Sequence, residues 1–491
     1  MQKPYFLLLL AFATLLSSCG SSEPESSEIA LNDEPSIVMR DINEIREDGY
    51  LTAIAIYNST SYFLYKGEPL GFEYELLSEL AKELKLELRI RVAEDIDDLF
   101  TMLNNGEGDI IAYGLSITES RKKLINFTEP HYVTHQALVQ RKPDNWRSLP
   151  GYKLDDKLID DPLELIDKTV HVRRNSSYYE RLQNLAKEVG GDIDIQTVSG
   201  DKTTDEIIKM VVDGEIDYTV SDYNIAALNQ TYYPILDVET QISFSQQIAW
   251  GVRKNSPLLL QAVNMWLKKI KQKSSYRVLY NKYFKNRKSY QRRIKSDFYS
   301  KNSGKISQYD EIIKKHAAPL GWDWRLLSSL IYQESRFEPQ ATSWAGAGGL
   351  MQIMPSTAKD LGLKDISHPD QNIQAGSIYL KKLWNNWTKI PDSVQRTKFV
   401  MASYNCGLGH VRDAQRLASA FGENPLLWDD NVEDYILKLS SREYYTNPVV
   451  RYGFVRGLEP YLYVKEIFLR YDHYKKFIPL AEPKKPAIAS Q

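Results

Sequence analysis

Leu51-Thr-Ala-Ile-Ala-Ile56 is a short β-type run, and Phe72, Leu76, Leu77, Leu80, Ala81 and Leu84 follow it at helical spacing. Residues 86–92 then alternate like a strand, and Asp109-Ile-Ile-Ala-Tyr113 and Thr169-Val-His-Val172 each lead again through a polar turn into a helix-type segment. Strands and helices in alternation predict an α/β fold with mainly parallel sheets, here for about 235 residues ending at Phe284. After Ser307 the strand-like runs stop. Helix-periodic segments separated by Gly, Pro and Asn turns continue to about Tyr474, which predicts an all-α domain.

The 491 residues leave room for about three domains, or two large ones. Lys+Arg 62 against Asp+Glu 64 gives a net charge of −2, so no global basic field argues for nucleic acid. At 43% hydrophobic and 26% charged the chain is a folded globular one. Its two cysteines, Cys19 and Cys406, exclude a disulfide framework and a cysteine zinc site, and the seven histidines are scattered without ligand spacing. No metal and no cofactor is expected. Tyr 32 against Phe 15 is an unusual ratio that fits sugar-stacking surfaces as well as half-buried packing.

Lys3 precedes an apolar run of twelve residues, Tyr5 to Leu16, too short for a membrane span of about 20, so the segment reads as a signal peptide. It ends in Leu16-Ser-Ser-Cys19-Gly20, which resembles a bacterial lipobox. That resemblance implies acylation of Cys19 and a lipid-anchored protein of the cell envelope, most naturally at the outer membrane facing the periplasm. Cys406 would then be the one remaining thiol. From Gly20 to Tyr50 nine acidic and two basic residues, with Ser-rich stretches, read as a solvated tether. Between Lys268 and Lys305 fourteen basic residues face one acidic residue; this is the solvated face of a terminal helix plus a linker, or a contact for anionic lipid or wall carboxylates.

Gly71-Phe-Glu-Tyr-Glu-Leu76, Asn105-Gly-Glu-Gly-Asp-Ile110, Gly114-Leu-Ser-Ile-Thr-Glu-Ser-Arg121 and Phe127-Thr-Glu-Pro-His-Tyr132 occur in that order. Ile166-Asp-Lys-Thr-Val-His-Val172, Asp213-Gly-Glu-Ile-Asp-Tyr-Thr-Val-Ser-Asp222 and Tyr280-Asn-Lys-Tyr-Phe284 continue the series. As a set these resemble family 3 periplasmic solute-binding proteins over roughly residues 50–286. The resemblance implies two α/β lobes closing on an amino-acid-like ligand, with strand crossings near residues 137–141 and 243–252. It implies that Arg121 holds a ligand carboxylate, helped by Ser116, the amide of Gly114, and Ser176 and Ser177 ahead of a helix. Asp222 takes the ligand's ammonium. The family often has an Asp after the first strand, where this chain has Asn58.

In Trp324-Arg-Leu-Leu-Ser-Ser-Leu-Ile-Tyr-Gln-Glu-Ser335, residues Leu327, Leu330, Ile331 and Glu334 fall at i, i+3, i+4 and i+7. One helix face is thus apolar and ends in a carboxylate. Desolvation and a nearby helix C-terminus both raise the pKa of such an acid, as a general acid at neutral pH requires. Glu334-Ser-Arg-Phe337, Gly348-Gly-Leu-Met-Gln-Ile-Met-Pro-Ser-Thr-Ala358, Tyr404-Asn-Cys-Gly407 and Glu459-Pro-Tyr-Leu-Tyr-Val464 follow in order. They resemble the four signatures of the soluble-lytic-transglycosylase domain, a goose-lysozyme-like helical fold, over roughly residues 305–474. Ser403 and Cys406 stand where that pattern usually has alanines.

The resemblance implies Glu334 as the one catalytic acid, Glu459 at a structural position, and Gln352, Tyr404 and Asn405 lining a glycan cleft. Tyr463 would orient Glu334, and Ser335 would assist the substrate's acetamido side. One acid suits intramolecular attack by the C6 hydroxyl of N-acetylmuramic acid, giving a 1,6-anhydro end and cleaving the β-1,4 bond to N-acetylglucosamine. Water as nucleophile would instead make the protein a muramidase, and a decayed helical domain would leave a solute receptor. The intact Glu334, Gln352, Tyr404, Asn405 and Tyr463 speak against decay. The expected partners are glycan strands, a muropeptide or amino acid, and a membrane. The chain divides into a signal peptide (1–19), an acidic tether (20–49), a solute-binding domain (50–286), a basic linker (287–306), a lytic transglycosylase domain (307–474) and a disordered tail (475–491).

Overall fold

The computed structural model describes residues 38–300, 304–478 and 480. The expectations for the signal peptide, Cys19, most of the tether and the end of the tail lie outside the described residues. Within them a two-lobed α/β clamp precedes an all-helical domain, as the alternation of patterns predicts.

The final part of the expected tether is folded. Asp41 and Glu44 form a capping box at helix Ile42–Asp48, and Ile42 and Ile45 are buried in the first lobe. Two isoleucines three apart suffice to dock one short helix, a signal that acidic composition hides.

The first lobe is a six-stranded sheet ordered Glu87–Val92, Tyr50–Ala55, Ile110–Ser116, Gln246–Val252 and Asn126–Phe127, with Tyr132–Thr134 also on Gln246–Val252. Tyr50–Ala55 pairs in parallel with both neighbours, and helix Phe72–Leu84 seats Phe72, Leu76, Leu77, Leu80 and Ala81 on the sheet. The second lobe orders Asp194–Val198, Thr169–Arg173, Tyr218–Asp222, Gln136–Arg141 and Leu236–Asp237. Gln136–Arg141 and Gln246–Val252 run antiparallel to their neighbours. Each is the first strand after a crossing and enters its sheet from the opposite end, so the sheets are mixed rather than mainly parallel.

The crossings fall a few residues earlier than the sequence suggests, at residues 134–136 and 242–246. The Gln136 amide donates to Ser243 Oγ at 2.9 Å, and the Ile242 amide donates to the Gln136 carbonyl at 2.8 Å. The two crossings are therefore bonded to each other.

Residues 287–300, expected as a basic linker, are packed. Helix Arg287–Ile294 buries Tyr290 and Arg293. The Arg293 guanidinium lies 4.5 Å from the Phe63 ring centroid and donates to the Ser59 carbonyl at 3.0 Å. Gln291 donates to the Thr231 carbonyl in the second lobe at 2.8 Å. A cation buried against aromatic rings serves packing rather than a surface field.

The helical domain gathers Leu327, Leu330, Ile331, Met351, Phe399, Val400, Tyr463 and Ile467 into one core. Its last helix, Leu458–Phe477, has twenty residues and so is about 30 Å long. It extends beyond the expected domain end, since Phe477 and Ile478 pack instead of beginning a loose tail. The far end of this helix docks on the clamp. Tyr474 donates to the Gly67 carbonyl at 2.8 Å, Phe477 lies 3.9 Å from Tyr57 between ring centroids, and the Tyr62 hydroxyl bonds His473 Nδ1. Lys465 and Glu87 pair at 2.7 Å, and grooves of about 990 and 1080 Å³ flank the contact.

His473 is sealed in this contact. Burial first, then Lys476 and Arg470, holds its pKa down to about 3. The unfolded chain protonates this imidazole near pH 6.5, whereas the folded chain resists until about pH 3. The stability it contributes is therefore complete above pH 6.5 and is lost as pH falls towards 3. Between about pH 7 and pH 5 the thermal midpoint of the full chain is expected to fall more steeply in wild type than in His473→Gln. Equal slopes would contradict this assignment.

Candidate active site and ligand cleft

Asp323 caps helix Trp324–Ser335 by accepting from the Arg325 amide, and Arg336 ends it in the left-handed region at φ 52°. Phe337 at φ 62° and Gln352 at φ 47° share that region. Each such residue costs about 1–3 kcal/mol unless its surroundings enforce it, and three of them fall within the two leading signatures. What enforces Gln352 is visible. Its side-chain amide nitrogen donates to the Ala341 and Gly349 carbonyls, both at 2.9 Å, which leaves the amide oxygen as the group able to meet a substrate.

The loop carrying Gln352 is pinned by Asn372, a residue sequence reasoning missed. Fully buried on helix Pro369–Asn386, it accepts from the Met351 amide at 2.7 Å and donates to the Gly348 and Ile366 carbonyls at 3.1 and 2.8 Å. No sequence signal marks it, because Asn372 stands among Asp370, Gln371 and Gln374 as one more polar residue of that helix. Gly349, at φ 77°, has no space for a Cβ, which would lie 2.2 Å from Asn372 and from the Ile366 carbonyl.

Glu334, half-buried in the last turn of its helix, accepts from the buried Tyr463 hydroxyl. Desolvation pushes its carboxyl up to about 7; the Tyr463 bond opposes the shift and Glu459 adds to it. Glu459 itself is exposed on the first turn of Leu458–Phe477. Burial and the neighbouring Glu334 keep the Tyr463 phenol far above its usual range, so it stays a donor. Tyr404 donates to the Met351 carbonyl at 2.7 Å, with its ring 5.5 Å from Tyr379, and Asn405 is half-exposed beside it. The structure thus brings Glu334, Tyr463 and Tyr404 together.

Ser335 sits differently from the role the resemblance suggests. Its buried hydroxyl donates to the Leu350 carbonyl at 2.8 Å and ties the helix to the loop. The two departures from the pattern are accommodated. Ser403 accepts from Trp387 Nε1 at 3.1 Å and donates to the Phe399 carbonyl, while burial raises the Cys406 thiol to about 12, leaving it unreactive.

In the clamp the structure places Gly114, Ser116, Arg121, Ser176, Ser177 and Asp222 around one cleft between the lobes. Gly114 is needed because a Cβ there would meet the Tyr132 hydroxyl at 2.7 Å. Arg121 is buried and donates to the Ser116 carbonyl at 3.1 Å, and Ser177 donates to Ser116 Oγ at 3.3 Å. Burial raises Asp222 to about 7, against the pull of Arg121 and Tyr178. Asn58 accepts from the Thr60 amide at 2.9 Å and holds its own turn. Arg173, not anticipated from sequence, ends strand Thr169–Arg173 and reaches across to the Tyr113 hydroxyl at 3.1 Å. The lobes are closed, with about 30 Å³ between them, room for about one water molecule.

Two family models match the chain: bacterial extracellular solute-binding proteins, family 3, over residues 52–286, and the transglycosylase SLT domain over residues 311–427. A curated protein named membrane-bound lytic murein transglycosylase F from Desulfosudis oleivorans is 35% identical over 439 residues, 89% of this chain and 92% of that one. Relatives of the same name from Idiomarina loihiensis and Photobacterium profundum are 30% and 32% identical. The first covers 96% of both chains, and the second 87% of this chain and 80% of its own. Among solved structures, an ancestral amino acid-binding protein matches 50% of this chain and 99% of that one at 26% identity and a TM-score of 0.42. With relatives at this identity over nearly its whole length, the chain belongs to the membrane-bound lytic murein transglycosylase F family.

Proposed function

We propose that this chain carries out lytic transglycosylation of peptidoglycan with Glu334 as its single acid–base residue. The observation that carries the reading is the half-buried Glu334 carboxyl, held by Tyr463 with a pKa near 7. At neutral pH such a group is protonated often enough to donate and, once ionised, basic enough to take a proton back. Glu334 protonates the leaving glycosidic oxygen between N-acetylmuramic acid and N-acetylglucosamine. Its carboxylate then removes the proton from the C6 hydroxyl of the same muramic residue, which closes on C1 and leaves a 1,6-anhydro end. The sugar's own hydroxyl replaces water, and proximity supplies several kcal/mol of the barrier reduction. Gln352 through its amide oxygen, with Tyr404 and Asn405, holds the glycan against Glu334.

The clamp is proposed to bind an amino acid or wall peptide, with Arg121 on the carboxylate and Asp222 on the ammonium. Two contacts support its control of the glycan site. The first-lobe turn at Gly67 lies against Phe337 and Tyr332 at the end of the catalytic helix, so close that a Cβ on Gly67 would meet Phe337 at 2.8 Å. Helix Leu458–Phe477 carries Tyr463 at one end and the clamp contact of His473, Tyr474 and Phe477 at the other. A couple of this kind is typically worth about 1–3 kcal/mol. No helix among the described residues is long and apolar enough to cross a membrane. Membrane attachment is proposed to rest on acylated Cys19, and labelled fatty acid is expected in wild type and absent from Cys19→Ala.

Glu334→Gln keeps the shape of the side chain but removes the donor and the base. Glycan cleavage should fall by about 10²-fold or more with the fold intact, and retention of more than about a tenth of wild-type activity would overturn the role of Glu334. Tyr463→Phe gives a more particular signature. Loss of the donor destabilises the ionised carboxyl, so the pKa of Glu334 rises. The alkaline limb of kcat/KM, where the acid is lost, should move to higher pH while the maximal rate drops. A limb that stays in place or moves down would show that Tyr463 does not act through Glu334.

A further inference from the structure

The cleft of the clamp carries more positive charge than an ordinary amino acid requires. Arg121 can grip one carboxylate and Asp222 one ammonium, which already matches the zwitterion. Arg173 is a second guanidinium lining this cleft, contributed by the second lobe and only 4% exposed. It donates through Nη2 to the Tyr113 hydroxyl at 3.1 Å, but its Nε is buried without a partner. The Ser176 hydroxyl and Asp222 Oδ1 are also buried and unpartnered beside it. Three uncommitted polar atoms, two able to donate and one able to accept, therefore face a cleft holding two fixed cations and one acid.

The other carboxylates nearby do not balance Arg173. Glu180 accepts from Ser120 at 2.5 Å at the exposed rim, and Asp97 accepts from Asn175 there. A neutral phenol is the partner given to Arg173 within the closed cleft. A buried guanidinium held by one neutral oxygen has lost its hydration without regaining a charge partner.

Resting on the proposed ligand-binding role of the clamp, we infer that its ligand carries a second carboxylate, which Arg173 receives: an acidic amino acid, or a peptide end bearing an extra acid group. Arg121 and Asp222 take the α-carboxylate and the ammonium. The second carboxylate replaces the Tyr113 hydroxyl on Arg173 and takes up the free Nε and Ser176. Admitting such a ligand means parting the lobes, since about 30 Å³ cannot hold it. Parting breaks the bridges Arg173–Tyr113 and Ser177–Ser116, which the ligand's own bonds then replace.

Calorimetric titration of the purified full chain with glutamate, its isosteric amide glutamine, and glutarate tests this. Either enantiomer of glutamate is expected to bind at least about tenfold more tightly than the same enantiomer of glutamine, because a charge-assisted pair replaces a neutral one. Glutarate, lacking the ammonium, should bind more weakly than glutamate. Arg173→Gln should remove the preference by lowering glutamate affinity to that of glutamine, and Arg173→Lys should keep part of it. If glutamine binds as tightly as glutamate in wild type, the inference is wrong while the ligand-binding role stands. The wild-type comparison decides this even if the variants fail to fold. If none of the three binds, both fail.

Discussion

One hydrogen bond organises the catalytic half of this molecule: the buried Tyr463 hydroxyl donating to Glu334. It joins the last helix of the chain to the helix bearing the acid, and it fixes how far desolvation can raise that acid. Without a donor the carboxyl would be driven further towards neutrality; with a cation in its place it would be fully ionised and unable to donate. A neutral phenol, kept neutral by its own burial, holds the group between these limits. The supports around it are built to the same end. Asn372 holds the Gly348–Ile353 bridge, Ser335 ties that loop to the helix bearing Glu334, and Gln352 accepts a left-handed backbone to be placed there.

Among the described residues, the segment that follows the clamp is packed against it through residue 300. The basic stretch after the second lobe is folded around Arg293, whose charge is spent on aromatic rings. The helix that presents Tyr463 also presents the docking surface for the first lobe. Two contacts link the first lobe to the surroundings of Glu334: the Gly67 turn against Phe337, and the helix that runs from His473 back to Tyr463.

Much of this was legible in the sequence because periodicity and motif order are local. The strand–helix alternation from Leu51 and the i, i+3, i+4, i+7 face ending in Glu334 depend only on residues close in the chain. Tertiary commitments were not legible. Asn372 reads as one more polar helix residue until its three backbone partners are in place, and Arg173 reads as a strand end until it crosses the cleft. Arg293, counted among fourteen basic residues, looked solvated because composition does not show which side chain faces a ring. The strand crossings were displaced by a few residues because their position depends on pairing between Gln136 and Ser243, far apart in sequence. The resemblance puts Ser335 on the substrate's acetamido side, whereas its buried hydroxyl donates to the Leu350 carbonyl.

The central claim is that one carboxylic acid and the sugar's own hydroxyl suffice, with water excluded as nucleophile. Digestion of purified peptidoglycan by the full chain in ¹⁸O-water, followed by mass spectrometry of the muropeptides, tests it most directly. The account predicts anhydromuramic ends that carry no ¹⁸O. Reducing muramic ends labelled with one ¹⁸O at C1 would contradict it and make the enzyme a hydrolytic muramidase.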